Sequence, residues 1–160
     1  LAPSILGGFT IATASGVESV STDISLVACL PEIAVSTRDA RRVVPETAQM
    51  AAVVETVGNA ATLAVGMCRG DPDLVGRGMN DPLVTPARAE LITGYSAVRE
   101  AAINAGATGV TVSGAGPSVL AVCRARDQRA VGNAMLTTFD NHEVDARVYQ
   151  TQVSEGATIL

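Results

Sequence analysis

Lysine and tryptophan are absent from this chain, and histidine occurs once, as His142. All 11 basic residues are therefore arginines; they face 16 acids, for a formal net charge of -5. That balance argues against a nucleic-acid partner, because phosphate contacts need clustered Lys or Arg. The one local basic group, Arg124, Arg126 and Arg129, reads as a solvated turn and helix start. An acidic, lysine-free composition rich in Ala, Val and Thr fits a salt-loving or high-GC source. A single histidine leaves a His-based metal site or a Ser-His-Asp triad without members, and no metal site is expected. Aromatic residues are 2% of the chain, so the core must be built from Ala, Val, Leu and Ile. The cysteines, Cys29, Cys68 and Cys123, are odd in number, far apart and form no C-x-x-C pair. Their apolar contexts read as buried free thiols in a reducing cytoplasm. No stretch approaches the roughly 18 apolar residues of a membrane span; the best, 50–67, is interrupted by Glu55, Asn59 and Thr62. The opening LAPSILGGFTIA has neither the basic nor the long apolar region of a signal peptide. Starting at Leu1, it reads as the middle of a longer protein, entered just before a strand.

The residues present suffice for one folded domain. Hydrophobic residues make up 48% of 160, which is a globular composition. Residues 7–15 and 24–30 are β-branched and bounded by Gly, Ser and Asp, so they read as strands, with VESVSTD as the polar turn of a hairpin. Ser36 or Thr37 caps a helix beginning at Asp39, and Pro45 closes it. A second helix, 46–67, is dense in Ala, Val and Leu and is expected to be largely buried. Asp71-Pro72-Asp73 opens a short helix ending near Gly78. DPLVTPARAE reads as a loop, because Pro82 and Pro86 break helix, and a long helix comes next over 88–105. TGVTVSGAGPSVLAVC is strand, Gly-rich turn and strand; a helix over 127–138 and a last strand, RVYQTQV, complete the order. Grouped strands with packed helices predict an α+β fold, one antiparallel sheet with helices on one face.

Three features could carry chemistry. In Ser113-Gly114-Ala115-Gly116-Pro117-Ser118 the glycines permit positive φ and close backbone approach. Successive N–H groups in such a turn form a concavity for an anion, although a tight inter-strand turn would look the same. Thr37 and Arg41 are four apart, so on a helix they share a face. There a hydroxyl and a forked guanidinium would suit an amino acid, or they are simply a helix cap and a surface cation. Arg88 stands where the loop meets the long helix, a position the helix dipole disfavours for a cation. That gives a functional role some weight beside a structural one. Arg42 points elsewhere on its helix and is expected to be solvated.

SGAGPSVLAVC resembles the third motif of the GHMP kinase superfamily, and STRDARRVVP resembles the Ser-Thr, Ala-Arg, Pro segment of its homoserine kinase branch. LAPSILGGFTIA is similar to the segment just after a His-x-Asp-Asn element in that branch, and the spacing through TPARAE fits it too. The resemblance covers the whole chain and implies the superfamily's C-terminal domain, a ferredoxin-like sandwich over 1–160, without the N-terminal ATP-binding domain. It implies ATP-dependent phosphorylation of the side-chain hydroxyl of L-homoserine, a step of threonine biosynthesis, in the cytoplasm. Thr37, Arg41, Arg88 and Gly114 would contact the amino acid. Ser113, Gly114, Ala115, Gly116 and Ser118 would support the other domain's phosphate loop. ATP and Mg2+ would be held mainly by the missing half, with no catalytic residue in this chain. Another GHMP kinase, such as a mevalonate kinase, or a non-catalytic dimerisation or ligand-binding module, stands as the alternative, and a homodimer stays open.

Overall fold

The computed structural model describes residues 2–157; Leu1 and 158–160, part of the expected domain span, lie outside the described residues. Among the described residues there are six strands, where the sequence predicts five, and seven α-helices. Helix α1 (Ala2–Leu6) precedes β1 (Phe9–Thr13) and β2 (Gly16–Val20), which form a separate two-stranded antiparallel hairpin. The segment expected to be a turn is therefore largely strand β2. Its exposed polar residues, Glu18 and Ser19, give no apolar alternation to read. Strand β3 (Ser25–Pro31) does not join that hairpin; it lies inside the main sheet, whose order with β4 (Ala107–Val112), β5 (Val119–Cys123) and β6 (Ala146–Gln152) is β4-β5-β3-β6. Every neighbouring pair in it is antiparallel.

The sheet is covered because consecutive residues of β3 and β5 are apolar on both faces. Val27, Cys29, Val119 and Ala121 point to one side, where α6 (Tyr95–Asn104) and α7 (Gln128–Asp140) supply Tyr95, Val98, Ala102, Val131, Met135 and Phe139. Burying each valine, methionine or phenylalanine among them contributes about 1.5–3 kcal/mol. These two helices are the expected layer. Helices α3 (Met50–Arg69) and α4 (Pro72–Gly78) do not join it; they pack over Leu26 and Val122 on the opposite face, with Val75 and Ile24 buried between. The core departs from its expected composition as well: Phe139 and Met135 are among its largest fully buried side chains, and no leucine is fully buried among the described residues.

Two glycines set the α4 contacts. A Cβ at Gly76 would lie 2.1 Å from the Thr108 carbonyl oxygen, and one at Gly78 would lie 2.3 Å from the Leu63 nitrogen. Both neighbours are backbone, so neither can turn aside. Gly76→Ala is expected to destabilise the protein by about 1–3 kcal/mol, read as a lowered melting temperature. An unchanged melting temperature would contradict this packing.

Helix α3 is not largely buried. Met50, Val54 and Val57 are 74%, 64% and 65% exposed, whereas later residues pack inward: Leu63 and Met67 against the buried cluster and Gly66 against α4. By length and composition it is also the one helix, among the described residues, able to cross a membrane. The polar interruptions read from sequence tie it to the domain: Asn59 donates to the Asn80 carbonyl (2.8 Å) and Glu55 accepts from the Asn80 amide (3.0 Å). Cys29 and Cys123 are buried, and burial pushes both thiols up to about 11, helped at Cys123 by Asp127. Cys68, expected to be buried, is exposed on α3.

Candidate functional site

Helix α2 (Thr37–Arg42) begins two residues earlier than read, at Thr37, and ends at Arg42, before Pro45. Ser36 is the cap, its hydroxyl accepting from the Asp39 N–H at 3.0 Å, and basic residues occupy the last turn. Ala40 is fully buried and pins the helix, which leaves Thr37 and Arg41 exposed together. Arg42 is paired with Asp39 and is 75% exposed. Among the described residues Arg41 enters no ion pair.

Arg88 sits differently from expectation. The long helix over 88–105 is two helices: α5 (Thr85–Ala89), with Pro86 near its start, and α6, separated by a turn in which Gly94 takes a φ of +79°. Pro86 opens a helix where the sequence predicts a break, since its missing N–H would be unpaired there anyway. Arg88 consequently lies in the last turn of α5, where a cation suits the dipole, so the expected mismatch does not arise. Its side chain reaches two distant segments. Nε donates to the Ala40 carbonyl of α2 at 3.3 Å, and Nη1 donates to the Gly114 carbonyl at 2.7 Å. One half-buried guanidinium thus joins the helix of Thr37 and Arg41 to the Gly-rich turn. Two of its five N–H groups are used this way.

The turn is closed at its base, where the Ser113 N–H donates to the Ser118 carbonyl (2.8 Å) and the Gly116 N–H to the Ser113 carbonyl (2.9 Å). Gly114 and Gly116 take φ of +57° and +81°, as their residue type anticipates. A methyl group placed on Gly114 would meet nothing within 4 Å, whereas one on Gly116 would meet Val112 and Ile92. Within the described residues the successive N–H groups of Gly114 and Ala115 have no acceptor. That leaves two donors without partners at the tip of the turn.

A further group escapes a reading of the sequence. Asp81 accepts at Oδ1 from the N–H groups of Leu83 (2.9 Å) and Val84 (3.1 Å). At Oδ2 it accepts from Val84 (3.2 Å), Thr85 N–H (2.8 Å) and the Thr85 hydroxyl (3.1 Å). Burial raises its pKa, but these donors outweigh burial and hold the carboxyl below its ordinary value. The Asp-Pro that opens DPLVTP, with a second Pro at the helix start, is the signal that could mark it as a turn-forming acceptor. Among the described residues no three His, Cys, Asp or Glu side chains come together.

A cleft of about 830 Å³ does not coincide with the expected site residues. It lies along the free edge of β4, at Thr108–Val110, and is walled by α5, Tyr95 and Arg99 of α6, and His142. Thr37, Arg41, Arg88 and Gly114 do not line it. The Arg88 bridge, a specific contact between predicted residues, defines the candidate site better than cleft volume does.

Residues 63–141 match the family described as GHMP kinases C terminal. Relatives that match it along its whole length include homoserine kinases. That of Halorubrum lacusprofundi is 66% identical over 100% of this chain and 55% of its own length. That of Methanocella arvoryzae is 38% identical over 100% of this chain and 54% of its own length. The chain thus spans about half the length of the curated relatives it matches. Among solved structures, homoserine kinase from Cytophaga hutchinsonii superposes with a TM-score of 0.89 at 32% identity, over 97% of this chain and 51% of that one. A galactokinase from Lactococcus lactis, at 16% identity and a TM-score of 0.55 over 92% of this chain and 50% of its own, shares the fold alone.

Proposed function

We propose that this chain is the C-terminal, substrate-side half of an ATP-dependent kinase that phosphorylates the side-chain hydroxyl of L-homoserine, yielding O-phospho-L-homoserine for threonine biosynthesis. The observation that carries the reading is the Arg88 bridge, because it ties together the three expected substrate segments. Arg41 and the unused N–H groups of Arg88 hold the substrate carboxylate, the Thr37 hydroxyl bonds the amino-acid head, and Gly114 borders it. Holding the head of a short zwitterion limits where its hydroxyl can lie. Phosphoryl transfer depends chiefly on such positioning and on charge stabilisation.

ATP supplies the phosphoryl group. The free N–H groups at Gly114 and Ala115 suit one edge of a phosphate or of the loop that carries it, but the chain has no G-x-x-x-x-G-K-[ST] run to cradle one. ATP and Mg2+ are assigned mainly to the half of the protein that this chain does not span. A cytoplasmic setting agrees with three free cysteines.

The test is a substrate panel on the full-length protein with ATP: L-homoserine, L-serine and mevalonate. L-homoserine is expected to be phosphorylated with the highest kcat/KM. A preference for mevalonate would overturn the assignment.

A further inference from the structure

Arg88 is carried by a helix of only five residues, α5. Isolated helices shorter than about 12–15 residues are marginal in water, so α5 does not hold its own place. The neighbouring bonds show what does. Asp81 gathers the N–H groups of Leu83, Val84 and Thr85 and the Thr85 hydroxyl around one carboxylate. A carboxylate only accepts and a threonine hydroxyl has one proton, so the Thr85 proton goes to Asp81. Thr85 Oγ1 must then accept from the Thr111 hydroxyl, 3.2 Å away. Thr111 is on β4, whose last residue, Val112, leads directly into the Gly-rich turn. Thr85 and Arg88 are three apart, one turn along α5. The path from Asp81 through Thr85 to Thr111 therefore fixes α5 against β4, and Arg88 closes the circuit onto Gly114.

We infer that Asp81 is a positioning residue for the proposed reaction: it anchors the start of α5 so that Arg88 meets both the Thr37–Arg41 helix and the turn at Gly114. The inference rests on the proposed role of Arg88 as a substrate contact. Asp81 touches no substrate itself and acts only through Arg88. Asn at position 81 retains one acceptor, but its amide nitrogen can stand where Oδ2 accepts from Thr85, so that donor faces donor.

The experiment is a double-mutant cycle on the full-length protein, reading KM for L-homoserine and KM for ATP separately. Asp81→Asn is expected to raise KM for L-homoserine about tenfold or more with KM for ATP within about twofold. In an Arg88→Gln background the same change is expected to add nothing further to KM for L-homoserine. If Arg88→Gln alone leaves KM for L-homoserine unchanged, the role of Arg88 fails, and this inference with it. If Arg88→Gln raises KM but Asp81→Asn lowers only kcat, or the two effects add, the substrate reading stands and the positioning role of Asp81 is overturned. Should Asp81→Asn not fold, Thr85→Val and Thr85→Ser replace it. Loss of the hydroxyl is then expected to raise KM for L-homoserine and its retention in serine to preserve it; equal effects of the two would refute the path.

Discussion

Arg41→Ala in the full-length protein is expected to raise KM for L-homoserine about 30-fold or more while KM for ATP stays within about twofold. Removing one partner of a charged contact formed on binding costs on the order of 2–5 kcal/mol, because the substrate carboxylate is left without its counter-charge. Arg41 is exposed and enters no ion pair among the described residues, so no internal ion pair competes for it and none is lost with it. The same exposure sets the expected loss near the lower end of that range. Arg42→Ala is the internal control: Arg42 is the next residue but is paired with Asp39, and its removal is expected to leave both constants unchanged. Equal effects of the two changes would mean that general positive charge, and no specific fork, is what matters.

The largest effect is expected from the 160 residues alone, which should show ATP-dependent phosphotransfer indistinguishable from a protein-free blank. The chain has no lysine and no G-x-x-x-x-G-K-[ST] phosphate-loop signature. Its Gly114–Ala115 donors can support a phosphate-binding loop but cannot enclose a triphosphate. Fused behind the N-terminal half of the Halorubrum lacusprofundi relative, with which it is 66% identical, the chain is expected to restore turnover. Turnover by the isolated chain, or an inactive fusion that folds, would contradict the division of labour proposed for the two halves.

Much of the site can be read from the sequence because it depends on local chemistry. The Ser36 cap and the spacing of Thr37 and Arg41 come from one short segment, and the glycines of 113–118 announce their own φ values. The features that the sequence hides depend on contacts between segments. Apolar periodicity through Leu91, Ile92 and Tyr95 runs unbroken across the turn at Gly94, so two helices look like one. Apolar density in α3 looks like burial, although exposure is decided by what packs against the helix. Alternation in β2 is invisible because neither of its faces is buried. Asp81 looks like an ordinary loop acid: its Asp-Pro marks a turn, but not that three backbone N–H groups will close on this one carboxylate. Arg88 stands out in the sequence, but for an unfavourable dipole that the structure does not contain; the bridge it makes is visible only once α2 and the turn are folded together.

Backbone amide shifts of the 15N-labelled full-length protein, followed as L-homoserine is added, test most directly whether these segments bind the amino acid together. Movement is expected to concentrate at Thr37, Arg41, Arg88 and Gly114, and to be lost in Arg41→Ala. Shifts confined to Asn80, Thr93 and Thr108, in the cleft along β4, would place the amino acid elsewhere and contradict the account.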